Sequence, residues 1–295
     1  MTGVLVIGGT GKTGRELVRL LRGTGVPVRV ASRNPAAEDP DAIRFDWDDP
    51  ATHPAALDGQ DRVFVVPPVR SVDPMPTVGP FLVEAQRLGV RKVVLLGSAI
   101  PLAPRAPELA AQVLAQPGWV VLRPSGFMQN FLSPHPLGER IRRDGEIRTA
   151  AGDSRVGWID TRDIAATAAA LLSDRDAGPG DQRDYLLTGP QALSYPEAAA
   201  IITATTGRPV RVVHAHAQEL AADMRAAGIP AQFAAILADA DAGARTGGGG
   251  EISTAVLDLT GRAPRTFTQF VQEHAARWVV PQVGKMTSEP NESIS

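Results

Sequence analysis

Cysteine is absent from the 295 residues, which excludes disulfides, thiolate nucleophiles and cysteine-based metal sites. Lysine is scarce, limited to Lys12, Lys92 and Lys285, and tyrosine is scarcer, with Tyr185 and Tyr195 alone. An excess of one charge is missing too: the formal net charge is −2, which gives no electrostatic basis for nucleic acid as a partner. No apolar run approaches membrane-spanning length. The first apolar strand begins almost at the first residue, so neither a membrane anchor nor a signal peptide is expected, and the expected location is cytoplasmic. The five histidines are His53, His135, His214, His216 and His274. Only His214 and His216 are close enough to share a strand face, too few ligands for a metal, so no metal is expected.

Glycine, by contrast, is placed with purpose. The apolar run Val4-Leu5-Val6-Ile7 ends in Gly8-Gly9-Thr10-Gly11-Lys12-Thr13-Gly14, with glycines at Gly8, Gly11 and Gly14. An amphipathic stretch follows, with Leu17, Leu20 and Leu21 on one face, and then a second apolar strand, Val28 to Ala31. Strand, tight turn, helix and strand make the first half of a dinucleotide-binding unit. The glycines let the backbone turn sharply and approach a pyrophosphate, toward which the helix N-terminus presents free N–H groups. A P-loop would need a glycine five residues before Gly11, where the chain has Val6. The second strand ends in Ser32-Arg33 rather than an acidic residue. A hydroxyl and a guanidinium there, with Lys12 nearby, suit a 2′-phosphate, so NADP(H) is the expected cofactor. The alternative is that Arg33 is a solvated surface residue.

Strand and helix patterns alternate through residue 123: strands at 42–46, 62–66, 92–96 and 119–123, helices at 78–88 and 107–115. Continuous apolar runs mark strands covered on both faces. The fold class expected is α/β, a Rossmann-like doubly wound parallel sheet with a small C-terminal α/β substrate lobe. The expected division is 1–125 for the cofactor-binding core, 126–284 for a lobe interleaved with the end of the core, and 285–295 for a disordered tail. In the second part the pattern gives helices at 160–172, 217–227, 230–243, 251–260 and 266–278, strands at 184–188 and 210–213, and a capping box from Ser194 to Glu197. Gly247 to Gly250 reads as a flexible connection.

Ordinary short-chain reductases use a tyrosine with a lysine four residues later as proton donor. Here the positions after Tyr185 and Tyr195 hold Gly189 and Ala199, so that acid is missing. Two weaker catalytic candidates remain. Ser98 ends the strand that faces the nicotinamide in such folds, although it serves equally as a strand-end cap. His135 lies in the 125–138 insertion near the expected crevice mouth. Phe131 and Trp158 fit either a pocket wall or the core, with the core expected for Trp158.

The glycine loop, Ser32-Arg33, Phe45-Asp46-Trp47, Val65-Val66-Pro67-Pro68, Leu96-Gly97-Ser98 and Arg123 to Phe131 together resemble the NmrA-like atypical short-chain dehydrogenase/reductases. Asp160 to Ala165, Leu187 to Pro190 and Thr260 to Arg265 extend the resemblance to about Trp278. Within that family the chain is most similar to the festuclavine and agroclavine dehydrogenase branch, which reduces an iminium carbon with NADPH. The resemblance implies that Gly8, Thr10, Gly11, Lys12, Thr13, Gly14, Ser32, Arg33, Asp46, Pro67, Gly97, Ser98 and Phe127 line the cofactor. It implies an NADPH-dependent reductase of a small cyclic iminium, enone or quinone-like metabolite in secondary metabolism, with a small-molecule substrate as partner. A non-catalytic NADP(H) sensor and a fold recruited for a polyketide-tailoring step remain as alternatives, and a homodimer stays open.

Overall fold

In the computed structural model of the chain, the residues described are 3–68, 71–100, 102–173, 183–246 and 249–278. The apolar run after the N-terminus forms β1 (Gly3–Ile7), and the glycine loop leads into α1 (Lys12–Gly23). Then come β2 (Val28–Ser32), β3 (Ala42–Arg44), the short α2 (His53–Leu57) and β4 (Gln60–Val65). The core continues with α3 (Met75–Arg87), β5 (Lys92–Leu96), α4 (Ala106–Leu114) and β6 (Val120–Pro124).

The chain then leaves the sheet for α5 (Pro136–Asp144), β7 (Glu146–Thr149) and β8 (Arg155–Val156). It returns through α6 (Thr161–Ser173) to β9 (Asp184–Leu187). The remainder is β10 (Leu193–Ser194), α7 (Tyr195–Thr206), β11 (Arg211–His214), α8 (Ala217–Ala226), α9 (Ala231–Gly243), α10 (Ala255–Thr260) and α11 (Phe267–His274).

Seven strands pair in the order β3-β2-β1-β4-β5-β6-β9, all parallel. The order reverses between β1 and β4, which is where a doubly wound sheet opens its ligand crevice. Strand residues alternate between two cores, as period-2 geometry requires. Val4, Val6, Val30 and Phe64 face α1 and α6 with Leu17 and Leu21, while Leu5, Ile7, Val63 and Val65 face α2, α3 and α4. Both cores are closed to water, which explains the unbroken apolar runs.

A third cluster, built on Phe131, Ile147, Trp158, Ile202, Phe270 and Trp278, forms the lobe. Phe131 and Trp158 therefore fill the core rather than wall a pocket; Phe131 is fully buried and its ring meets that of Trp158 edge-on at 4.9 Å. The lobe is joined to the sheet by backbone: Ile159 N–H donates to Gly126 O at 2.9 Å, and Met128 N–H to Ile159 O at 2.9 Å. At the opposite edge of the sheet, buried cations satisfy the last carbonyls of α6. Lys92 Nζ donates to Leu171 O at 3.0 Å, and the Arg62 guanidinium, paired with Asp61, donates to Leu172 O.

Several expected boundaries shift. The third strand stops at Arg44, because the chain turns at Asp46, whose own backbone pairs with Asp49 in an isolated bridge. The third helix starts at Met75, three residues early, with Pro74 as its cap residue and Pro76 in its first turn, where a missing N–H costs nothing. The helix expected over 251–260 begins only at Ala255, since Ser253 N–H is held by Thr188 Oγ1 at 3.0 Å. The last helix ends at His274 and tightens into a 3-10 turn, Ala275–Arg277. Of the expected glycine connection, Gly247 and Gly248 lie outside the described residues, as does the expected tail 285–295. Gly249 is packed rather than free: its carbonyl accepts Gly157 N–H at 3.1 Å.

Candidate dinucleotide site at the carboxyl edge of the sheet

The loop between β1 and α1 is shaped by two glycines. Gly8 takes φ +76°, a left-handed conformation that side chains disfavour. Gly14 sits against it: a Cβ on Gly14 would lie 2.1 Å from Gly8 O. Only a hydrogen at position 14 lets α1 start so close to the strand end. Gly11 is different. It is exposed, caps α1 in extended conformation, and a Cβ there would meet only Gly8 O, at 3.2 Å. No side chain caps α1 and no acidic residue occupies its first turn. The N–H groups of Lys12, Thr13 and Gly14 therefore point outward without helical partners, together with the positive end of the helix dipole. That donor set fits a pyrophosphate.

Around this loop the carboxyl ends of the other strands bring most of the expected residues together. Ser32 ends β2; its hydroxyl donates to Asn34 O at 3.0 Å and accepts Asn34 N–H at 3.2 Å. Arg33 follows, exposed and, among the described residues, without a carboxylate partner. Asp46 follows β3, its N–H donating to Thr52 Oγ1 at 3.0 Å, and the Trp47 indole donates to Val66 O at 3.2 Å, tying the β3 and β4 ends together. Pro67 continues from β4. Gly97 N–H donates to Leu122 O at 2.8 Å, and Ser98 Oγ accepts Ile100 N–H at 3.2 Å. Ser98 thus performs the strand-end turn role. Phe127, half-buried, bridges to Ile159 where the lobe joins.

His135 caps α5. Its Nδ1 accepts Leu137 N–H at 3.2 Å, so the ring is a hydrogen-bond acceptor there. Burial, with the charge of Lys12 adding to it, depresses its pKa to about 4, only partly offset by the Asn130 backbone. His135 is accordingly neutral at physiological pH and lies within electrostatic reach of the glycine loop. Partial burial also lowers the Lys12 ammonium. The other four histidines do other work. His53 stacks on Phe45 at 4.7 Å, His216 precedes α8 as its cap residue, His214 ends β11, exposed, and His274 Nδ1 lies 2.9 Å from Phe270 O at the end of α11. Among the described residues no three acids or histidines cluster as metal ligands.

A polar brace at the head of α6 is not readable from the sequence alone. Gln129 Oε1 accepts Thr161 N–H at 3.0 Å and its Nε2 donates to Asp160 at 3.0 Å. Asp160 is fully buried. Burial alone would raise its carboxyl, but Arg162 and Gln129 outweigh that and hold it below the usual range. Arg162 continues to Glu273 at 2.6 Å. Next to it, Asp163 accepts both Arg265 N–H at 2.8 Å and its guanidinium at 2.6 Å; burial still leaves this carboxyl raised. The acidic and basic types were visible in Asp160 to Asp163 and at Arg265, but not that partners 102 residues apart in sequence meet.

No family model matches the chain. Among curated proteins it is 39% identical to an uncharacterized oxidoreductase, YesF, of Bacillus subtilis, over 93% of this chain and 96% of that one. It is 35% identical to an NAD(P)H azoreductase of Xenophilus azovorans (92% and 98%) and 33% identical to an agroclavine dehydrogenase of Claviceps fusiformis (94% and 99%). The chain belongs to the NmrA-like atypical short-chain dehydrogenase/reductases. Solved relatives of this family fold include an NADPH-dependent quinone oxidoreductase of Escherichia coli complexed with NADPH, at TM-score 0.76 and 25% identity, covering 92% of this chain and 99% of that one. NmrA, a negative transcriptional regulator, superposes at TM-score 0.71 and 15% identity over 92% of this chain and 95% of that one, a likeness of fold alone. Among the described residues no helix of this NmrA-like chain is long and apolar enough to cross a membrane.

Two substitutions separate the roles of the glycines. Gly14→Ala forces Gly8 O and the Cβ apart and should cost about 3 kcal/mol or more of apo stability, of the order found for overpacked or strained sites. Gly11→Ala should leave the apo melting temperature nearly unchanged and abolish dinucleotide binding. Calorimetric melting and binding on the same samples check both. An unfolded Gly11→Ala protein, or one that binds normally, contradicts the cradle.

The His135 environment also sets a pH dependence. Its folded pKa lies below the ordinary 6.5, so between pH 6.5 and about 4 the unfolded chain holds more protons than the folded one. Stability should therefore fall on acidification through this window, by up to about 3 kcal/mol from this group. His135→Asn keeps a good cap and removes the titration. Chemical denaturation across this window should show a smaller loss for the variant; parallel profiles would contradict the assignment.

Proposed function

We propose that the protein is an NADPH-dependent reductase that delivers hydride to a small cyclic iminium, enone or quinone-like metabolite, an activity suited to secondary metabolism. Family membership and the outward-facing donors of the glycine loop support dinucleotide binding. Arg33, free of carboxylates among the described residues, and Ser32 would hold the 2′-phosphate; Lys12, Thr13 and Gly14 would hold the pyrophosphate, with Thr10 beside them. Asp46, Pro67, Gly97, Ser98 and Phe127 would border the rest of the cofactor, and the lobe within 126–284 would receive the substrate. NADPH, when bound, supplies a hydride.

The observation that carries the substrate class is where the two tyrosines lie. Tyr185 is buried within β9, and Tyr195 starts α7, its hydroxyl donating to Asp241 at 3.2 Å. Neither heads a tyrosine–lysine pair. His135 is neutral and spent on a helix cap. A ketone needs an acid as hydride arrives. An iminium carbon already bears positive charge, and a quinone or enone leaves an oxyanion that solvent can protonate. Acceptors of this kind match a site without a strong protein acid.

The same shortage of acids favours a second reading, a non-catalytic NADP(H) sensor. Purified protein should oxidise NADPH when offered iminium, quinone or enone acceptors, followed by loss of NADPH absorbance. Tight NADPH binding with no oxidation across that panel would favour the sensor. Arg33→Ala should weaken NADPH binding by roughly ten- to a hundredfold, the worth of one charge-assisted hydrogen bond, and leave NADH binding little changed. Equal weakening of both would make Arg33 structural.

A further inference from the structure

The lobe contains a solvent-open cavity of about 570 Å³, lined by the loop 149–154, His214, Ala215 and Arg245. No residue of the dinucleotide cradle lines it. It opens at the carboxyl ends of β7 and β11, which run parallel with Thr149 opposite His214, and Ala215 N–H donates to Thr149 O at 2.9 Å.

Its walls are held in place. Asp241 on α9 accepts Thr149 Oγ1–H and Ala150 N–H, both at 2.7 Å, and the Tyr195 hydroxyl at 3.2 Å. Arg245 lies one helical turn beyond Asp241, so the same anchor carries its guanidinium over the loop. A Cβ on Gly152 would stand 3.5 Å from Arg245 Nε, and Gly152 itself takes φ +61°. The loop thus bends at Gly152 beneath Arg245, and Asp153, the next residue, also lines the cavity.

Several arginines of the lobe hold carboxylates, Arg140 with Glu146, Arg148 with Asp223, Arg155 with Glu197 and Arg211 with Glu146, while Arg208 and Arg277 donate to backbone carbonyls. Arg245 and Asp153 do not pair with each other or with any other charged group among the described residues. The lining of one cavity therefore carries a cation and an anion, both exposed to solvent and neither ion-paired among the described residues. The methyl groups of Ala150, Ala151 and Ala215 supply apolar wall. A carboxylate alone would be drawn to Arg245 and repelled by Asp153; an amine alone would meet the reverse. A ligand bearing both charges satisfies both residues.

We propose that this cavity binds a small zwitterion, an ammonium and a carboxylate on one apolar body, as in an α-amino acid with a hydrocarbon or aromatic side chain. The carboxylate pairs with Arg245 and the ammonium with Asp153. The site is separate from the cofactor cradle and stands whether or not the protein turns over NADPH.

The test is a titration of the full chain followed by NMR, reading the amides of Gly152, Asp153 and Ala215. The probes are L-leucine, L-phenylalanine and L-tryptophan, with N-acetyl-L-phenylalanine and L-phenylalaninamide as single-charge controls. At least one amino acid should give saturable shifts at these amides. Each blocked analogue should bind at least tenfold more weakly than L-phenylalanine. Arg245→Gln and Asp153→Asn should each weaken binding of the best probe at least tenfold, with the melting temperature and NADPH affinity unchanged. The proposal is overturned if none of the three amino acids shifts these amides, if either blocked analogue binds as well as the parent, or if both variants bind normally.

Discussion

The contact on which the rest of the molecule depends is the one between Gly8 O and the α-carbon of Gly14. With a Cβ at position 14 only 2.1 Å from that oxygen, α1 could not begin where it does. Its first-turn N–H groups would then no longer sit over the end of β1. The position of α1 also reaches beyond the loop. Leu17 and Leu21 seat it against the sheet in the same cluster as Ile164 and Ala168 of α6, so α1 and α6 share one packed layer. Arg162 and Arg265 are close enough to α1 to bear on Glu16, whose carboxyl is lowered first by Arg19.

The lobe is fixed through that layer. Asp160 and Asp163 at the head of α6 hold Arg162 and Arg265, and Arg265 leads into α11 and the aromatic cluster of Phe267 and Phe270. Removing one partner of such a buried pair leaves a charge without compensation, which costs far more than an exposed pair contributes. The exposed pairs Arg19–Glu16 and Arg87–Glu84 belong to the weak class. The molecule therefore sets partly buried ion pairs at the joint between sheet and lobe, beside the buried Arg62–Asp61 pair at the opposite edge of the sheet.

The sheet was legible because its strands are covered on both faces and read as unbroken apolar runs; Val63 to Val65 and Val93 to Leu95 are all buried. The glycine loop was legible because turn chemistry is local. What escaped was non-local or short. β7 leaves every other residue only half-buried and contributes one large apolar side chain, Ile147, and β8 and β10 are two residues each. Spacing treated Gly11 and Gly14 alike, whereas packing makes one an open cap and the other an obligatory contact. The loop puts His135 near the crevice, but its capping bond to Leu137 comes from how α5 starts, and its lowered pKa from burial with the charge of Lys12 adding to it.

This division bears on how the site can work. The residues at the carboxyl edge that could move protons are few, and the structure binds them into turns: Ser98 to Ile100, Ser32 to Asn34, His135 to Leu137. Around the glycine loop the charge is positive, held by Lys12 and Arg33 with the dipole of α1 adding to it, while Asp46 lies at the end of β3. A site of that composition can bind and orient anionic groups firmly while contributing little acid–base chemistry. On the proposed reading, discrimination among substrates would rest on the lobe, whose walls are set by long-range contacts such as Tyr195 and Thr149 on Asp241. Changes there alter the shape of the lobe without touching the Gly8–Gly14 contact, so one cradle can serve lobes of different chemistry.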